Sequence, residues 1–104
     1  VVVVTGETDV VADRSKLMYF RGGNLMMRSV TGTGCQLSAL TAAFAAANPD
    51  RIADAAFAAA AAMGLCGEIA YGRLSPEDGN ASYRNYIIDA VYRLTPEQLE
   101  QRLI

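Results

Sequence analysis

Two glycines divide this chain. Within Val30-Thr31-Gly32-Thr33-Gly34-Cys35, a strand-rich N-terminal third gives way to an alanine-rich remainder that reads as helix to the end. From Gln36 to Phe44 there is no glycine or proline, and Leu37, Leu40 and Phe44 fall on one helical stripe at i, i+3 and i+7. The glycines therefore sit at a helix N-terminus, where the first N–H groups lack intrahelical partners and the dipole is positive. Small residues there leave backbone donors open to surround an oxyanion, which is chemistry for phosphate. The same pair also suits a plain strand-to-helix turn, since a lone G-x-G is a weak pattern.

Before the glycines, Val1-Val2-Val3-Val4 is continuously apolar and β-branched, the pattern of a strand covered on both faces in a parallel sheet. Such a strand needs neighbours on each side. The remaining strand signal is an antiparallel hairpin, Asp9 to Ala12 and Lys16 to Phe20, turning through Asp13-Arg14-Ser15. That is too few strands, so the expectation is that residues 1–104 form the C-terminal part of one larger α/β domain whose N-terminal part is absent. Thr5-Gly6-Glu7 closes the first strand, where open parallel sheets place their ligand crevices. The Thr5 hydroxyl there can meet a nucleotide, or Thr5-Gly6 can simply turn the chain. Gly22-Gly23-Asn24 is a second turn, and Met26 and Met27 after it read as core or pocket lining.

After the glycines, Asn48-Pro49-Asp50 predicts a stop and restart, with Asn48 as cap and Pro49 in the first helical position. The second helix carries a stripe of Ile52, Ala56, Ala59, Met63, Gly67 and Ala70, small enough for close approach of a neighbour. Cys66 on this helix reads as a small buried residue. Tyr86, Ile87, Ala90, Val91 and Leu94 make the apolar face of a third helix. Thr95-Pro96-Glu97-Gln98 has the form of a capping box opening a short fourth.

The composition, 52% hydrophobic and 19% charged over 104 residues, is that of a globular domain. A net charge of −2 with no basic run argues against nucleic acid or an anionic membrane as partner. The alanine-rich uncharged run Ala55 to Gly67 falls short of the roughly 20 apolar residues a bilayer span needs. Two cysteines without C-x-x-C spacing, and no histidine, indicate neither a zinc site nor a disulfide framework. A reducing cytoplasm is the expected location.

Taken together, Val4-Thr5-Gly6-Glu7-Thr8-Asp9-Val10-Val11, Gly22-Gly23-Asn24 with Met26-Met27, and Val30-Thr31-Gly32-Thr33-Gly34-Cys35 resemble the hydroxyethylthiazole kinases of thiamine salvage. Gly79-Asn80-Ala81-Ser82-Tyr83 is similar to that family's glycine-serine-aromatic segment, with Asn80 and Ala81 replacing an expected proline and glycine. The resemblance covers essentially the whole chain but less than half the family's usual length. It implies a ribokinase-like α/β fold: strand, β-hairpin, glycine loop, then three to four helices. It also implies transfer of the γ-phosphate of ATP, with Mg²⁺, to the hydroxyl of 4-methyl-5-(2-hydroxyethyl)thiazole by a homotrimer with sites at subunit boundaries.

Carried over by position, the Gly32 backbone contacts the thiazole, Thr5 the ATP, and Thr33 and Gly34 contribute to the anion hole. Cys35 stands where the catalytic base stands, with a small residue fitted to the turn as its alternative role. The dipole favours a thiolate at this terminus and neighbouring phosphates oppose it. Metal ligands, the phosphate-holding arginine and most of the substrate pocket are expected upstream of Val1, so the chain alone is expected to be inactive. The other readings are a pyrimidine kinase, a nicotinamide-nucleotide hydrate dehydratase, or a non-catalytic α/β nucleotide-binding module. Cysteine in place of aspartate at position 35 speaks against the first two. A Rossmann site lacks its third glycine here.

Overall fold

β-branched and aromatic residues crowd the N-terminal third, and in the computed structural model, which describes residues 1–103, they form three short strands. β1 (Val2–Val4), β2 (Asp9–Ala12) and β3 (Leu17–Phe20) lie in the order β1-β2-β3, every pair antiparallel. The hairpin turn is built by one side chain. Asp13 Oδ1 accepts the N–H groups of Ser15 at 2.8 Å and Lys16 at 2.9 Å, an Asx turn that also holds the Asp13 carboxyl below its ordinary range. Lys16 then reaches across to Asp54, tying the turn to a helix.

The register puts Val3, Val11 and Met18 side by side, with Val11 fully buried. The opposite face carries Val2, Ala12 and Leu17 in one row and Val4, Val10 and Tyr19 in the next. It is entirely apolar, yet Val2 is 63% exposed and Val4 58%. The reading of Val1–Val4 as a strand covered on both faces in a parallel sheet is therefore not met among the described residues. A β-branched run reports apolar surroundings on both faces; it carries no information on the direction of the neighbouring strand.

A short 3₁₀ segment, Leu25–Ser29, follows the Gly22-Gly23 turn and is capped by Asn24, whose Oδ1 accepts the Met26 N–H at 2.9 Å. Four helices complete the chain: α1 (Thr33–Ala47), α2 (Ile52–Arg73), α3 (Asn80–Arg93) and α4 (Pro96–Leu103). α2 starts three residues later than the Asn48-Pro49-Asp50 pattern predicts, with Arg51 as its N-cap residue and Ile52 first. Asn48 is already committed to the end of α1, where its Nδ2 donates to Phe44 O at 3.0 Å and its N–H to Ala45 O at 3.1 Å. α4 opens as expected on its capping box: Thr95 N–H donates to Gln98 Oε1 at 2.9 Å and Gln98 N–H to Thr95 Oγ1 at 3.3 Å.

α2 is the element against which the others pack. By length and composition it could cross a membrane, but 67% of its most apolar window is buried inside the protein, so its apolarity is accounted for by the core. Its alanines and Cys66 are covered by α1, α3 and the hairpin. Met63, Cys66 and Ala70 meet Val30 and the α3 residues Tyr83, Ile87 and Ala90 in one cluster. Tyr83, fully buried, is satisfied by donating its hydroxyl to Gly67 O at 2.9 Å. Cys66 is a free buried thiol, and burial pushes it up to about 11.

Two glycines of α2 act as notches. A Cβ on Gly64 would lie 2.6 Å from Phe20 Cε1, and one on Gly67 2.5 Å from Met27 Sδ. Phe20 and Met27 are thereby seated against the helix backbone on either flank of the Gly22-Gly23 turn.

Candidate functional site

The glycine stretch folds as its pattern predicts, with the helix starting slightly earlier. Gly32 is the N-cap residue of α1 at φ 103°, in the left-handed region that L side chains rarely enter. Its carbonyl accepts the Gln36 N–H at 2.9 Å, the first bond of the helix. Thr33, Gly34 and Cys35 thus form the first turn, and no side chain caps it. Among the described residues no acceptor within the protein meets their three N–H groups. A Cβ on Gly34 would meet nothing within 4 Å, so packing does not require glycine there.

In front of this turn lies a cavity of about 520 Å³, lined by Thr33 and Gly34 on one side. Thr5, Gly6, Glu7 and Asp9 come from the β1–β2 loop and the start of β2. Arg21, Gly22, Gly23 and Asn24 supply another wall, continued by Leu25, Met27 and Arg28. Leu37 of α1 and Ala60, Met63 and Gly64 of α2 make an apolar floor. The structure thus brings Thr5, Thr33 and Gly34 to one cavity. Gly32 and Cys35 adjoin it without lining it, and Cys35 is exposed on the first turn.

The charges around the cavity are mostly engaged. Arg21 Nη2 pairs with Glu7 Oε1 at 2.7 Å, and Asp9 Oδ1 accepts the Gly6 N–H at 3.1 Å. Burial raises the Asp9 carboxyl above its usual range, partly offset by that amide. Arg28 makes no ion pair among the described residues, so one free cation faces the same space as the open amides. No three His, Cys, Asp or Glu side chains converge among these residues. Glu7 and Asp9 are the carboxylates that line the cavity among the described residues.

A smaller cavity, about 350 Å³, flanks the other side of the glycine stretch between Val30-Thr31 and Asn80, Ala81 and Arg84. Asn80 Nδ2 donates to Ser29 O at 3.0 Å, so the residue that departs from the resembled pattern ties α3 to the segment leading into the loop. Sequence reasoning did not find Asp9, Arg28, Met63 or Gly64 as lining residues. Among the other lining residues, Thr5-Gly6-Glu7 carries a signal as a crevice at a strand end, Gly22-Gly23-Asn24 as a turn, and Met27 as core or pocket lining.

An opening beyond the end of a strand and before the head of a helix is where open α/β proteins hold their ligands, and that class is what this fold and cavity define. Within it, the chain belongs to the hydroxyethylthiazole kinase family, whose model matches residues 1–97. A hydroxyethylthiazole kinase of Clostridium acetobutylicum is 52% identical over 100 residues, covering 96% of this chain and 37% of the relative. One from Methanocella arvoryzae is 40% identical over 103 residues, covering 99% of this chain and 37% of the relative. The solved structure of hydroxyethylthiazole kinase from Pyrococcus horikoshii OT3 superimposes with a TM-score of 0.80 at 30% identity, over 94% of this chain and 37% of that one. The three antiparallel strands followed by four helices match that neighbour's fold. The chain spans 37% of the length of these relatives.

Proposed function

We propose that residues 1–104 are the C-terminal portion of a ribokinase-like hydroxyethylthiazole kinase domain, and that the full-length protein phosphorylates 4-methyl-5-(2-hydroxyethyl)thiazole with ATP. The observation that carries this is the open first turn of α1: three unpartnered amides at the positive end of a helix dipole, two of them from residues lining a cavity. Phosphoryl transfer asks the protein for alignment and for charge stabilisation on the migrating group, and little else. The Thr33 and Gly34 amides receive the γ-phosphoryl oxygens, and Arg28 adds a positive charge from the facing wall. Thr5 binds ATP at the end of β1. The apolar floor of Leu37, Met63 and Ala60 suits the flat face of the base.

The Gly32 backbone meets the thiazole alcohol. The alcohol oxygen bonds to the γ-phosphorus, the bond from that phosphorus to the bridging oxygen breaks, and ADP leaves. The hydroxyl proton passes to Cys35, which stands on the same turn. Mg²⁺ neutralises phosphate charge when bound. We place its ligands in the part of the protein outside this chain. The working form is a cytoplasmic homotrimer.

The test uses the full-length protein with ATP and the thiazole alcohol, following ADP and the phosphate ester. The parent turns over. Replacing one preorganised donor of an oxyanion site costs about 10²–10³ in rate, which sets the scale for damage to the α1 turn. Cys35→Ala loses turnover and Cys35→Asp retains part of it if the proton passes to this side chain. Unchanged turnover in Cys35→Ala removes the base role and leaves Cys35 as a small residue fitted to the turn. Absence of ester from the parent sinks the whole reading.

A further inference from the structure

The Arg21–Gly23 wall of the cavity has no secondary structure of its own, and its anchor comes from two distant helices. Gly23, at φ 82°, directs its N–H away from any local acceptor, and Glu68 Oε2 of α2 receives it at 3.0 Å. Glu68 is itself gripped by a fork from Arg102 of α4, with Nε to Oε1 at 2.9 Å and Nη2 to Oε2 at 3.0 Å. The same Nη2 donates to Arg21 O at 2.8 Å. The guanidinium also lies 4.9 Å from the centre of the Phe20 ring, the residue that starts this turn. A Cβ on Gly22 would fall 2.5 Å from Phe20 Cε1 and 2.8 Å from Glu68 Oε2, so glycine leaves the room that the ring and the carboxylate occupy. Neither Glu68 nor Arg102 lines the cavity, whereas Arg21, Gly22 and Gly23 all do.

We propose that Glu68 and Arg102 are positioning residues that hold the Arg21–Gly23 backbone as a wall of the nucleotide cavity, so that α4 sets how ATP is seated. The proposal rests on the reading of this cavity as the ATP side of the kinase site. Its physical content is that two hydrogen bonds from one ion pair, Gly23 N–H to Glu68 and Arg102 to Arg21 O, replace the strand or helix hydrogen bonds that the turn lacks. Lysine at 102 keeps the charge but loses the fork and cannot serve Glu68 and Arg21 O together. Glutamine at 68 keeps an acceptor for Gly23 and loses the charge that grips Arg102.

The test uses the full-length protein and variants Arg102→Ala, Arg102→Lys, Glu68→Ala and Glu68→Gln. ATP affinity is measured by equilibrium titration, KM and kcat by steady-state kinetics, and the Gly23 amide by hydrogen exchange. A displacement of the wall by an ångström is enough for a tenfold or larger effect on a positioned ligand, so the alanine variants weaken ATP binding and raise its KM about tenfold. The KM for the alcohol changes less than twofold. The double alanine variant is no worse than the poorer single one, because both residues act through one turn. Gly23 exchange accelerates at least about tenfold in the alanine variants while the α2 amides stay protected, the sign of a local rather than global loosening.

Where an alanine variant fails to fold, the lysine and glutamine variants carry the test with a smaller shift in the same direction. Folded variants with ATP affinity within twofold of the parent, or with Gly23 exchange unchanged, overturn the proposal. A parent that binds no ATP overturns the kinase reading instead, and Gly23 exchange still reports whether the brace exists.

Discussion

Replacing Gly64 by alanine sets two effects of known size against each other. In the interior of an exposed helix, alanine is favoured over glycine by about 1 kcal/mol, and α2 runs nine residues beyond Gly64. Against this, the new Cβ would stand 2.6 Å from Phe20 Cε1, where carbon atoms ordinarily pack at about 3.5–4.0 Å. The ring must retreat by roughly 1 Å, and little room is open to it. Phe20 is only 5% exposed, its ring meets Phe57 edge-on at 6.4 Å, and Arg102 lies over it. The methyl cannot move aside either, since Gly23 N lies at 3.4 Å. Overpacking of this kind costs about 1–3 kcal/mol, and the lack of slack places this case at the upper end. Gly64→Ala should therefore destabilise the full-length protein by about 1–2 kcal/mol after the helix gain is subtracted. Gly72 is the internal control. It lies near the end of the same helix with nothing within 4 Å of its Cβ position, so Gly72→Ala should stabilise by a few tenths of a kcal/mol. Denaturant unfolding of the two variants and the parent decides the matter. If Gly64→Ala proves as stable as Gly72→Ala, the notch is not needed and the argument for Phe20 as a fixed support of the turn is wrong.

Tyr83→Phe removes a buried hydroxyl from Gly67 O and should lower stability by about 1 kcal/mol, read from chemical unfolding, with the apolar contacts to Met63 and Ile87 kept. Thr95→Ala removes the hydroxyl of the capping box and should loosen α4 by about 1 kcal/mol, seen as faster amide exchange in α4 before any change in α2. High pH should destabilise the fold in two stages. Burial raises Cys66 from 9.0 to about 11 and Tyr83 from 10.0 to about 12, so the folded protein keeps protons that the unfolded chain releases. Their contribution is complete below pH 9 and is lost through 9–11 for the thiol and 10–12 for the phenol. Stability of the parent should fall between pH 8.5 and 10.5 more steeply than that of Cys66→Ala, and equal slopes would contradict the assignment.

The parts of this architecture legible in the sequence were those whose cause is local. The hairpin was legible because Asp13 supplies its own turn, and α4 because Thr95 and Gln98 satisfy each other three residues apart. The open first turn of α1 was legible for the same reason, since nothing outside Gly32-Thr33-Gly34 is needed to leave those amides bare. What could not be read was decided at a distance. Asn48 suits the start of one helix as well as the end of another, and only the finished turn shows which it serves. The direction of the strand beside Val2–Val4 follows from chain connectivity, to which a β-branched run is indifferent. Glu68 meets Gly23 across 45 positions and Arg102 across 34, and neither residue has a local pattern that marks it.

The same distinction explains why the alanine-rich helix, the stretch with the least apparent information, determines the shape of the site. The cavity is assembled from three short pieces: the β1–β2 loop, the Arg21–Met27 segment and the head of α1. Their own hydrogen bonds shape each piece locally but do not set its position relative to the other two. Each has to be pressed against something rigid, and α2 supplies that surface because its small residues let neighbours approach its backbone. Ala60, Met63 and Gly64 form the floor, Gly64 and Gly67 seat Phe20 and Met27, and Glu68, one residue further along, fixes Gly23. Larger side chains on this face would push the three pieces apart and separate the open amides of Thr33 and Gly34 from the wall opposite. The stripe of alanine and glycine is thus the geometric condition for a cavity that the head of α1 and Arg28 line together.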